Sequence, residues 1–226
     1  MKNSENLICF DLDGVLIHSM TVANKIFYDT IERELGLPVE PYRKEKKIMA
    51  LSAEERFDLL WKDEIERKGI TTQQIEDALE AYRKGKMSID IPALPKAVET
   101  VRMIAEHFEM IAAVSSNPDY IIRETLERLQ IADCFQKITG LDHVRFAKPN
   151  PEIYEQTIDY FGIEAKNAMT FEDSLAGITS AKGAGMKVIG VATGLESKEE
   201  LQKTPADLVL NDMTELSLEM VNKLFI

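Results

Sequence analysis

Cysteine is nearly absent: only Cys9 and Cys134 occur among 226 residues, and Cys9 lies inside the apolar run 7–10. A disulfide framework is thereby excluded, and a reducing, cytoplasmic setting is expected. Positive charge is also in deficit. There are 27 Lys and Arg against 39 Asp and Glu, a net charge of −12 and a pI near 4.8. Nucleic acid and anionic membrane are polyanions, so an acidic surface disfavours both as partners. The same charge repels phosphate esters, so any phosphate site needs a local cation. No apolar segment reaches the length of a membrane span, and residues 1–6 precede too short an apolar run for a secretory core. Internal repeats, low-complexity tracts and long Gly/Ser linkers are missing as well.

What is present is a 45% hydrophobic chain, long enough for one large domain or for a core carrying a smaller insertion. Residues 7–10 read as a short strand apolar on both faces, as in a parallel sheet covered by helices on each side. From Ser19 to Lys86 the pattern is helical throughout. Ser19 is expected to cap a helix with Val22, Ile26, Phe27, Ile31 and Leu35 on its apolar positions, stopped by Gly36 and Pro38. A capping-box pattern at Ser52–Glu55 leads into Phe57, Leu60, Trp61 and Ile65, and Thr72 begins a third segment. Beyond Ile91 helices alternate with strands: helix 95–107, strand 109–114, helix 118–130 capped by Asn117, helix 151–161 and strand 168–171. Helix 175–184, strands 187–191 and 207–210, and helix 214–224 complete the chain. Alternation of this kind predicts an α/β, doubly wound parallel sheet. The expected core spans 1–17 and 90–226, and the α-helical insertion spans 18–89, entering beside the end of the first strand.

Chemistry concentrates at the expected strand ends, where open α/β sheets place their ligands. Asp11 and Asp13 follow the first strand, and Gly14 frees the backbone to turn so that both acids can be presented. One ionised carboxylate can attack a phosphorus while its neighbour donates a proton; an acidic β-turn is the plainer reading. Ser115, Ser116 and Asn117 follow the next strand, a phosphate cradle or an ordinary helix cap. Lys148 stands before two prolines as the cation a phosphoryl oxygen would need. Glu172 and Asp173 end a further strand, as hard oxygen ligands for Mg²⁺ or as helix-capping acids.

Taken together, DLDGVL from Asp11, SSN from Ser115, KPNPEIY from Lys148 and FEDSLAGITSAKGAG from Phe171 resemble the four motifs of the haloacid dehalogenase superfamily. The resemblance runs over essentially the whole chain, including a helical cap after the first motif. It is nearest to the β-phosphoglucomutase and phosphoglycolate-phosphatase type. It implies that Asp11 is a nucleophile forming an aspartyl-phosphate and that Asp13 is the acid and base. Ser115, with Ser116 and Asn117 beside it, and Lys148 would hold the phosphoryl oxygens. Mg²⁺ would sit on the Asp11 carboxylate, the Asp13 backbone carbonyl and Asp173, with Glu172 close by. Dehalogenases of this superfamily lack the second acid, so Asp13 argues against dehalogenation.

Some positions depart from relatives. His18 precedes Ser19 where Asp-Ser is common, and Ala23 stands where sugar phosphomutases carry a histidine. Ala50 replaces a frequent glycine in the loop expected to read substrate, 48–52, and Arg43, Lys44, Lys46 and Lys47 make the preceding stretch basic. The expectation is a Mg²⁺-dependent phosphatase acting on a small phosphorylated metabolite, with a monomer expected. A phosphomutase and a non-catalytic binding protein are the alternatives.

Overall fold

In the computed structural model, residues 2–40, 42, 48, 53–87 and 91–226 are described, the side chains of 53–55, 83, 86 and 87 excepted. The expected Ser52 capping box, the basic run Arg43–Lys47 and all of loop 48–52 except Ile48 lie outside them. The chain separates into two compact units, 1–18 with 92–226 and 19–91.

In the first unit, β1 (Asn3–Phe10) has its last four residues fully buried, because neighbours hydrogen-bond along both its edges and side chains cover both its faces. The remaining elements are α5 (Ala97–His107), β2 (Phe108–Val114), α6 (Asp119–Arg128), β3 (Lys137–Thr139), α7 (Glu152–Phe161), β4 (Ala168–Glu172), α8 (Leu175–Gly183), β5 (Lys187–Val191), α9 (Lys198–Leu201), β6 (Leu208–Leu210) and α10 (Leu218–Leu224). Six strands form one sheet in the order β3-β2-β1-β4-β5-β6, and every pair is parallel. Leu7 and Cys9 of β1 pack with Ile153 and Tyr154 of α7 and Ile178 and Ala181 of α8. On the opposite face Phe10 stacks on Phe171 with ring centroids 4.7 Å apart. Each such side chain, fully buried, contributes roughly 1.5–3 kcal/mol. The strand order reverses direction between β1 and β4, so the carboxyl ends of β2, β1 and β4 lie side by side at the switch where α/β sheets open a crevice.

The second unit holds α1 (Ser19–Leu35), α2 (Ala53–Leu60), α3 (Lys62–Lys68) and α4 (Thr72–Met87), with no strand among its described residues. Phe27, Tyr28, Ile31, Phe57, Trp61 and Leu79 form its core, and the Trp61 indole N–H donates to the Pro38 carbonyl at 2.8 Å. No helix among the described residues is long and apolar enough to cross a membrane.

Three local expectations are corrected, and one strand is added. Ser19 makes no cap, since its Oγ is buried without a hydrogen-bond partner. Asn117 does not cap α6 either: Pro118 takes that position and Asn117 turns its side chain elsewhere. The C-terminal helix is divided, because the Ser217 hydroxyl accepts the Met220 N–H and starts α10 only after a short turn at Met213–Glu215. Strand β3 has no counterpart in the sequence pattern. Its three residues are set by pairing with Ala112–Val114 of β2 rather than by a run of their own.

Candidate active site

Asp11 leaves the end of β1 with its backbone N–H still donating to the Phe171 carbonyl, so its side chain is fixed between β2 and β4. Lys148, on the loop before α7, reaches this point with a side chain only 6% exposed. Its Nζ lies 2.6 Å from Asp11 Oδ1, 2.6 Å from Glu172 Oε1 and 3.3 Å from the Val114 carbonyl, and 5.1 Å from the centre of the Tyr154 ring. The peptide bond from Lys148 to Pro149 is cis. The Tyr154 hydroxyl donates a short hydrogen bond to the same Glu172 oxygen.

Asp173 follows on the other side of Asp11 and is also buried. A β-carbon at Gly14, which has φ +75°, or at Gly194 would fall on its carboxylate. Two glycines thus clear the space that Asp173 occupies. The Thr193 hydroxyl donates to the Gly14 carbonyl and ties the loop after β5 to the turn after β1. Asp13 accepts a short hydrogen bond from the Asn117 amide. That amide also lies 3.0 Å from Ser115 Oγ, and Ser115 itself is buried. Ser116 is exposed. Asp11, Asp13, Ser115, Asn117, Lys148, Glu172 and Asp173 therefore gather at adjacent strand ends, whereas His18 is exposed and belongs to no such group.

The electrostatics follow from burial. Burial raises the Asp11 carboxyl to about 8, with Lys148 opposing and the Glu172 and Asp13 charges adding. Asp173 is pushed well above the ordinary range by burial and then by Asp11, Glu172 and Glu196. Burial alone would lower Lys148, but the Asp11 and Glu172 charges outweigh it and hold the ammonium charged. Asp11, Glu172 and Asp173 bring ligand oxygens within 4.8 Å of one another around a single lysine. Oxygen donors only, and more buried acid than one cation neutralises, fit a hard divalent ion.

Tyr154, Thr193 and Gly194 escaped the sequence reading. Thr193 and Gly194 follow β5 after a single residue, Ala192, so the strand-end rule that flagged the other motifs reaches them too. Tyr154 closes the KPNPEIY motif, but nothing local distinguishes its hydroxyl from the other residues on the apolar face of α7.

The profile of the haloacid dehalogenase-like hydrolase family matches residues 8–191. The chain belongs to this family. Among curated relatives of this hydrolase, hexitol phosphatase B of Escherichia coli K12 is 24% identical over 208 residues, 92% of each chain. A phosphorylated carbohydrates phosphatase of Thermotoga maritima is 24% identical over 212 residues, 88% of this chain and 91% of its own. The crystal structure of β-phosphoglucomutase from Clostridium difficile superposes with a TM-score of 0.71 at 21% identity, covering 98% of this chain and 97% of that one, which is a likeness of fold.

Proposed function

We propose that this hydrolase is a Mg²⁺-dependent phosphatase that cleaves the phosphate ester of a small cytoplasmic metabolite through an aspartyl-phosphate on Asp11. The observation that carries this reading is the meeting of Asp11, Asp13 and Ser115, which follow the ends of adjacent parallel strands, with Lys148 from the loop before α7. Phosphatase names among relatives matched over almost the full chain support the same chemistry.

In this mechanism an Asp11 oxygen forms a bond to phosphorus as the ester oxygen leaves on the opposite side. The Asn117 amide donates to Asp13 Oδ2, which leaves Oδ1 to carry the proton that the leaving oxygen takes. Asp13, now ionised, then removes a proton from water as that water attacks phosphorus, and Asp11 is released with inorganic phosphate. Lys148 and the Ser115 hydroxyl hold phosphoryl oxygens whose charge would otherwise meet buried carboxylates. The groups that would hold Mg²⁺ are Asp11, Asp173, the Asp13 main-chain carbonyl and Glu172; the ion supplies charge neutralisation where acids and phosphate repel. The helical unit is the cap of this reading, the part expected to select the substrate.

Phosphate release from a broad panel of phosphate esters, with Mg²⁺ and with EDTA, tests it. Mg²⁺-dependent release is expected. Interconversion of sugar phosphates without net release would replace it with a phosphomutase, and inactivity in both assays with a binding protein.

A further inference from the structure

Asp119 opens α6 two residues after Asn117, yet its carboxylate makes no bond to its own helix. It reaches across to the turn that follows β3. Its Oδ1 accepts the Gly140 N–H at 2.9 Å, and its Oδ2 lies 2.6 Å from His143 Nε2. A carboxylate only accepts, so Nε2 of His143 carries the hydrogen. In return Asp142 Oδ2 accepts the Asp119 N–H at 2.7 Å, and the Leu141 N–H donates to the Asn117 carbonyl at 3.0 Å. A β-carbon at Gly140 would strike the Asn117 carbonyl and the Asp119 carboxylate, so the two segments touch backbone to backbone. Four hydrogen bonds thus tie residues 117–119 to 140–143, and the residue they hold at one end is the one whose amide meets Asp13.

We infer that His143 and Asp119 are a positioning pair for the acid–base step: they clamp the turn after β3 onto the Asn117 loop and so fix the Asn117 amide on Asp13. The inference rests on the proposed roles of Asp13 and Asn117. Neither member of the pair touches the reacting atoms. Both side chains are about a third exposed (35% and 29%), and ion pairs so exposed contribute little to global stability. Such a pair matters through what it orients, as partners behind a functional group commonly do.

Three variants and two readouts test this. In His143→Leu, kcat should fall by about three- to ten-fold, the scale of coupling within one hydrogen-bond network, while KM is unchanged because the acid acts only in the transition state. His143→Gln keeps a donor at the place of Nε2 and should restore kcat to within about two-fold of the parent. In an Asn117→Ala background, His143→Leu should cost nothing further, whereas a general loss of structure would multiply through. Independently of turnover, the side-chain amide signal of Asn117 in a ¹⁵N correlation spectrum should move in His143→Leu and stay in place in His143→Gln. An unmoved Asn117 signal, or losses that multiply in the double variant, would overturn the clamp. Should the parent protein hydrolyse no ester while the Asn117 signal moves as expected, the phosphatase reading fails and the clamp stands.

Discussion

At Lys148 a single ammonium is shared between two carboxylates in a site nearly closed to water. Removing it leaves Asp11 and Glu172 without their shared cation, and breaking a buried ion pair from one side typically costs about 3–5 kcal/mol. Lys148→Met should therefore lower the midpoint of chemical unfolding as well as abolish phosphate release, a double effect that a purely substrate-binding lysine would not show. Asp11→Asn is expected to behave in the opposite way. It removes the proposed nucleophile together with one of the crowded acids, so turnover should vanish while thermal stability in EDTA is kept or raised. A turnover rate near that of the parent in Asp11→Asn would remove Asp11 from the mechanism. The identities of these residues were legible in the sequence. Their mutual contacts were not, because Asp11 and Lys148 are 137 positions apart and only the sheet brings them to 2.6 Å.

At the scale of elements, each strand end contributes one part of the site and each loop one constraint. The loop after β5 acts through Gly194, whose missing side chain is the room Asp173 uses. Gly194→Ala should push the Asp173 carboxylate aside and weaken Mg²⁺ binding by titration calorimetry, with the circular dichroism spectrum unchanged. A stretch buried on both faces, such as Leu7–Phe10 of β1, announces itself as a continuous apolar run. Strand β3 does not, since three residues at a sheet edge owe their conformation to the neighbour they pair with. Asn117 shows the same limit for helices. Asn followed by Pro reads as a cap and helix start, but here the Asp13 carboxylate, in the turn after β1, takes the Asn117 amide.

Over the whole molecule, charge is the dominant property: −12 overall, with three acids gathered in the core unit. The Asp11 carboxyl, raised from 3.8 to about 8, binds its proton more tightly in the folded chain than in the unfolded one. Between those values the folded state holds more protons, so stability falls as pH rises through the window and levels off above it. Asp173 shifts in the same direction, while the raised Lys148 matters only above its ordinary value of 10.5. In EDTA the melting temperature should therefore drop between pH 5.5 and 8.5, and Asp11→Asn should flatten the slope. Under the proposed reading Mg²⁺ would bind the ionised carboxylates, so the rise in melting temperature it produces should be larger at pH 8 than at pH 5.5. A Mg²⁺ effect independent of pH would mean that the ion binds away from these acids.

The sequence alone determined the parallel α/β core, the helical insertion after the first strand and the residue types of the site, because all three are written in local periodicity and in short motifs at strand ends. Tertiary structure alone decided which acid faces Lys148 and which faces Asn117, that Tyr154 and Thr193 take part, and that His143 meets Asp119. Those are contacts between segments remote in sequence. The energy that selects them comes from burying charge beside a partner, and no window of neighbouring residues contains it.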